Sequence, residues 1–179
     1  MPSVPHADFE PALKKRLEEL WGTPPNLYRC LGNQPKLLAA WTEFSKTLRY
    51  DTRTPRALRE LVILRGGQLM RSEYEWAQHL KMARKAGVRE AQIAALDSFR
   101  TSKEFTDPEK AALALAEAVT LGKVSDDVQA QALKHFDMHD YVELCIVAAF
   151  YAMVGRMLDA MGVQLEPEAR EYSPRLPPG

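Results

Sequence analysis

Cysteine is nearly absent from this sequence. Cys30 and Cys145 are the only two in 179 residues, and they lie far apart. That excludes a disulfide scaffold and a CxxC redox pair, and it suits a reducing compartment. Net charge is absent as well. The 24 Lys and Arg balance 24 Asp and Glu, so there is no electrostatic case for nucleic acid or an anionic membrane as partner. The most basic stretch, Lys14-Lys15-Arg16, is followed at once by Glu18-Glu19, as on a solvated helix face. The first twenty residues hold no apolar leader. The most apolar stretch, Leu144 to Val154, is short for a membrane span and is flanked by Glu143 and Arg156. The expectation is a cytoplasmic, single-domain protein.

Strand-like alternation is missing too, while helical signals recur. Pro11 opens an amphipathic helix with Leu13, Leu17 and Leu20, stopped by Gly22 and Pro24-Pro25. A short helix follows from Asn26 to Leu31. Another runs from Pro35 to about Leu48, with Leu37, Leu38, Trp41 and Phe44 on its inner side. Thr54-Pro55 reads as an N-cap followed by a proline at the first helical position. Ser72 to Ala86 forms the next helix and Gly87 ends it. Arg89 to Phe99 is shorter. Thr106-Asp107-Pro108-Glu109 is a capping box. Ser125 and Asp137 cap the last two helices, and the final one, apolar on nearly every side to Met161, is expected at the centre. The chain divides into an N-terminal helix and arm (1–25), a helical domain (26–164) and an extended, Pro-rich tail (165–179). The fold class is all-α.

Polar residues in apolar places point to a site. At about 100° per residue, Trp76, Leu80, Met82, Ala83 and Ala86 share one arc of the Ser72–Ala86 helix. Ser72, Glu75 and His79 fall inside that arc, and Tyr74 points away from it. Glu75 and His79 stand four apart, close enough to touch. A buried carboxylate is costly unless paired or protonated. Glu60, set among leucines on the preceding helix, repeats the anomaly, although Arg56 one turn earlier offers it a surface partner. Two readings stand: a Glu–His pair that pins helices together, or an acid–base pair in a water-poor pocket.

The stretch from Glu60, across eleven residues, to Ser72-Glu73-Tyr74-Glu75-Trp76-Ala77-Gln78-His79 resembles the AhpD-like signature, a Glu followed by CxYCxxxH. The resemblance continues through Leu80 to Leu96, Thr106 to Val119 and Tyr141 to Gly162. It implies a single-domain AhpD-like helical bundle that assembles as a homo-oligomer, a trimer or hexamer. It also makes Glu60 the proton-handling Glu and His79 the motif His. Ser72 and Glu75 occupy the two cysteine positions. A serine hydroxyl cannot carry a thiolate redox cycle, so the peroxidase chemistry of the family is not implied. The carboxymuconolactone decarboxylase branch also lacks the CxxC pair. It places a carboxylate where Glu75 stands and a His where His79 stands.

These residues lead to cofactor-free acid–base chemistry on a small carboxylated lactone, keto or enol substrate. His79, Glu75 and Glu60 are the candidate catalytic groups, and Ser72, Tyr74 and Trp76 the candidate substrate contacts. A peroxidase and a non-catalytic scaffold are the alternatives. No metal is expected: His135 and His139 stand four apart, but Asp137 between them begins a new helix. Gly66-Gly67, inside a helical stretch, is expected to allow close helix packing rather than to bind phosphate.

Overall fold

The computed structural model describes residues 4–5 and 8–175, with side chains through 172. Every regular element among them is helical. In chain order they are α1 (Pro11–Trp21), α2 (Asn26–Leu31), α3 (Pro35–Tyr50), α4 (Arg56–Leu69), α5 (Glu73–Lys85), α6 (Glu90–Ala94), α7 (Asp107–Leu121), α8 (Asp126–Leu133) and α9 (Met138–Met161). A 3-10 turn follows α6, and 3-10 turns over Pro167–Arg175 close the described chain.

The caps explain the boundaries. Ser72, Ser125 and Asp137 each accept a backbone N–H from the third residue beyond them. At α7 the capping box is complete: Glu109 N donates to Thr106 Oγ1, and Thr106 N donates to Glu109 Oε2 at 2.8 Å. α4 departs from the expected start. Pro55, not Thr54, takes the N-cap position. Thr54 is buried, and both its N–H and its hydroxyl donate to Glu143 on α9. A tertiary acceptor has replaced the local cap.

α4, rather than α9, holds the centre. Every residue from Leu58 through Gln68 is buried, and α5, α7 and α9 all pack against it. α9 keeps an exposed apolar stripe of Met138, Val142, Ile146 and Met153. The charges of α4 hid its position. Arg65 donates from Nε to Glu117 Oε1 at 2.7 Å, and Arg100 pairs with the same carboxylate. A helix that looks amphipathic in sequence is thus fully interior because its ions are answered inside the bundle. The expected need for glycine in close packing is not met at Gly67: a Cβ there would lie 3.4 Å from Glu75 Cβ and 3.6 Å from Trp76 N, ordinary contact distances.

Two apolar clusters flank α4. One gathers Leu13, Leu17, Leu27, Leu38, Val62 and Leu144, so α1 shares its core with the helical domain. The other gathers Leu61, Leu64, Trp76, Leu80, Phe99 and Leu113. Leu37 and Phe44, expected on the inner side of α3, are exposed, while Leu38 is fully buried. The tail also departs from expectation. Instead of extending away, residues 167–175 coil and pack on α5. Glu166 fixes the fold-back by accepting from Asn26 N at 2.6 Å, Tyr74 OH at 2.7 Å and Gln78 Nε2. The last part of the tail, 176–179, lies outside the described residues.

Candidate active site

α4 and α5 run side by side and bring three ionisable groups together. Glu60 on α4 is fully buried, and Glu75 and His79 on α5 are each 4% exposed. Ser72 caps α5 and so sets the helix register from which Glu75 and His79 project. His79 Nδ1 lies 2.8 Å from Glu60 Oε2, and His79 Nε2 lies 3.6 Å from Glu75 Oε2. The second Glu60 oxygen pairs with Arg56, one turn earlier on α4. The Tyr151 ring meets the His79 ring edge-on, with centroids 4.7 Å apart.

Environment separates the two carboxyls. Burial pushes Glu60 upward, but His79 and Arg56 together outweigh it and hold the group below the usual carboxylate range. Glu60 is therefore the anion. An ionised Glu60 requires a donor at 2.8 Å, which places a proton on His79 Nδ1 and turns Nε2 toward Glu75. Burial also pushes Glu75 up, here to about 7, against the pull of His79 and Arg49. Its Oε2 has no hydrogen-bond partner among the described residues, so no hydrogen bond to that oxygen offsets the cost of burying its charged form. The two carboxyls on one imidazole thus titrate apart, Glu60 low and Glu75 near neutrality.

Glu75 and His79 open onto a cavity of about 60 Å³. Its walls are aromatic, with Trp21, Tyr28, Trp41, Phe150 and Tyr151 facing the pair. Arg49 brings a cation to the same wall. Burial raises the Tyr151 hydroxyl, and Glu75 and Glu60 add to the rise, so it stays a neutral donor.

The structure gathers some sequence-derived candidates here and sends others elsewhere. Glu60, Glu75 and His79 converge. Tyr74, expected to point away, is buried and lines the cavity, because α2 and the folded-back tail cover α5 on a further side. Its hydroxyl is engaged by Glu166 and by Leu27 N. Ser72 spends its hydroxyl on the cap of α5 and does not line the cavity. Trp76 is fully buried in the second apolar cluster and is a core residue, not a cavity wall. The wheel put Trp76 and His79 on one arc. They differ by about 60°, enough for one to face the core and the other the cavity. Sequence reading missed Arg49 and Tyr151. Tyr151 had a signal: it carries the one hydroxyl in the apolar run from Leu144 to Val154. Elsewhere, Asp137, His139 and Asp140 cluster at the surface. Arg53 already pairs with both of those carboxylates.

Comparison with known proteins agrees with this architecture. The model of the carboxymuconolactone decarboxylase family matches residues 35–118. An uncharacterized protein YdfG of Bacillus subtilis (strain 168) is 31% identical over 110 residues, 60% of this chain and 75% of that protein. The apo crystal structure of the debrominase Bmp8 superposes with a TM-score of 0.85 at 20% identity, covering 98% of this chain and 96% of that one. An alkylhydroperoxidase AhpD core, an uncharacterized peroxidase-related protein from Ralstonia eutropha JMP134, gives 0.81 at 17% identity over 100% and 97%. At such identities the structural likeness shows the fold and no more.

Proposed function

Because this chain belongs to the carboxymuconolactone decarboxylase family and has its AhpD-like helical fold, we propose that its cavity performs acid–base chemistry on a small conjugated substrate without thiol redox. One observation carries the reading. A single buried imidazole lies between two carboxyls, with Nδ1 2.8 Å from Glu60 and Nε2 3.6 Å from Glu75, and Glu75 and His79 line a cavity.

The roles follow from the protons. Glu60 accepts from His79 Nδ1 and so fixes Nε2 as the nitrogen that faces Glu75. Glu75 carries the proton to be delivered. In a decarboxylation, the bond to the carboxylate carbon breaks and CO₂ leaves. The electron pair enters a conjugated carbonyl as an enolate, and Glu75 protonates the carbon. Water then restores the Glu75 proton. In an isomerisation, His79 Nε2 removes a proton from one carbon and Glu75 supplies one to another. Tyr151 donates to the enolate oxygen. Small carboxylated lactones, keto acids and enols meet these demands. A peroxidase reading lacks support at the cavity. Cys30 and Cys145 do not line it, and Ser72 and Glu75 stand where a redox pair would be needed.

The test is turnover of 4-carboxymuconolactone, followed by loss of its ultraviolet absorbance, beside His79→Gln and Glu75→Gln proteins checked by circular dichroism. Turnover lost in both variants supports the reading. Turnover retained in a folded His79→Gln protein removes it. If this lactone is inert, other carboxylated lactones and enols are screened against the same controls. A screen in which both variants match the parent leaves the scaffold reading in its place.

A further inference from the structure

The site contains two arginines, and only one is answered. Arg56 pairs with Glu60. Arg49, half-buried on α3, has no carboxylate partner among the described residues. Its guanidinium lies 3.9 Å over the Trp21 ring, and one nitrogen approaches the Met82 sulfur at 3.1 Å. Neither neighbour neutralises a positive charge. Arg49 nonetheless acts on the cavity: its field is felt by Tyr28, Glu75 and Tyr151.

Arg49 also faces outward. An outer cleft of about 440 Å³ abuts the inner cavity, and Trp21, Arg49 and Met82 line both. The outer cleft carries Arg49, Arg56 and Lys85 and no acidic side chain. A cleft lined by one sign of charge concentrates ligands of the other sign. The cleft beside the cavity is therefore electropositive, and a residue it shares with the cavity is a guanidinium with donors to spare. A planar fork of this kind matches a carboxylate.

We infer that Arg49 is the anion-binding residue of the cavity, gripping the carboxylate or enolate of a planar substrate whose body lies against the aromatic wall. The inference rests on the acid–base reading of the same cavity and adds a residue to it. A purely structural Arg49 would serve only to hold α3 against Trp21 of α1.

Isothermal titration calorimetry on the full chain separates these roles. The probes are benzoate, 2-furoate and acetate, each beside its amide. The expected result is that at least one carboxylate binds about tenfold more tightly than its amide. Arg49→Gln abolishes that preference and leaves the amide affinity unchanged, while Arg49→Lys, which keeps the charge without the fork, retains part of it. Three outcomes overturn the inference: no carboxylate binds, Arg49→Gln weakens acid and amide alike, or it leaves the carboxylate affinity intact. Calorimetry judges Arg49, and turnover by the His79 and Glu75 variants judges the acid–base reading. Either can fail without the other.

Discussion

His79 Nδ1 and Glu60 Oε2 stand 2.8 Å apart across the α4–α5 interface, with Glu60 fully buried. Replacing Glu60 by Gln keeps the shape and removes the charge that selects the Nδ1–H tautomer. Turnover on a confirmed substrate should fall by about 10²–10⁴-fold. Steady-state kinetics with a circular dichroism control checks this, and unchanged kcat would detach Glu60 from the chemistry.

Glu75 predicts a pH limb. Its carboxyl is pushed up to about 7, and the acid form is the one that delivers a proton, so kcat/KM should decline as pH rises through that value. A pH–rate profile with no descending limb there would remove Glu75 as the acid.

The same shift has a sign for stability. The folded pKa exceeds the unfolded one, about 4.3, so between those values the unfolded chain loses the proton and the folded one keeps it. Stability falls as pH rises across that window and stays low above it. Glu75→Gln should flatten the dependence and stabilise the protein at pH 8 by roughly 4 kcal/mol, taking 1.36 per pKa unit. Its effect near pH 4 should be small. Urea titrations at both pH values decide the matter, and an equal effect at each would contradict the assignment.

Glu117 carries the largest predicted loss. It is buried, and it answers Arg65 from within and Arg100 from the rim. Glu117→Ala leaves the buried Arg65 charge with the neutral Gln68 amide but no carboxylate and should cost about 3–5 kcal/mol. Chemical denaturation measures it. A loss below about 1 kcal/mol, the range of exposed pairs, would mean that water reaches Arg65.

Glu166 latches the tail. Glu166→Ala leaves the Tyr74 hydroxyl and Gln78 without their acceptor and should cost about 1–3 kcal/mol. Amide exchange should quicken over residues 167–175. Exchange unchanged there would show that apolar packing alone holds the segment.

Much of the fold was legible because helix signals are local. Ser72, Thr106, Ser125 and Asp137 cap where their side chains and spacing say they should. What failed was non-local. Thr54 looked like a cap until Glu143, 89 residues away, took its hydroxyl. α9 looked central by its apolar content, but α4 took that place once Glu117 and His79 answered its charges. The site showed the same split. Glu75 and His79 were anomalous on one wheel and so could be found. Arg49 looked like any surface arginine on an amphipathic helix, and only the fold turns it toward the cavity. Trp76 was misplaced because a wheel gives angle but not which neighbour waits there.

The cavity beside Glu75 and His79 takes part of its lining from Trp21, Pro25, Leu27 and Tyr28. This part of the wall, from the end of α1 into α2, is joined to the bundle partly by Arg49 over Trp21 and Glu166 on Asn26. Admission and release are therefore tied to breathing of the N-terminal arm. A solvent viscosity dependence of the turnover rate would be the kinetic imprint of that motion.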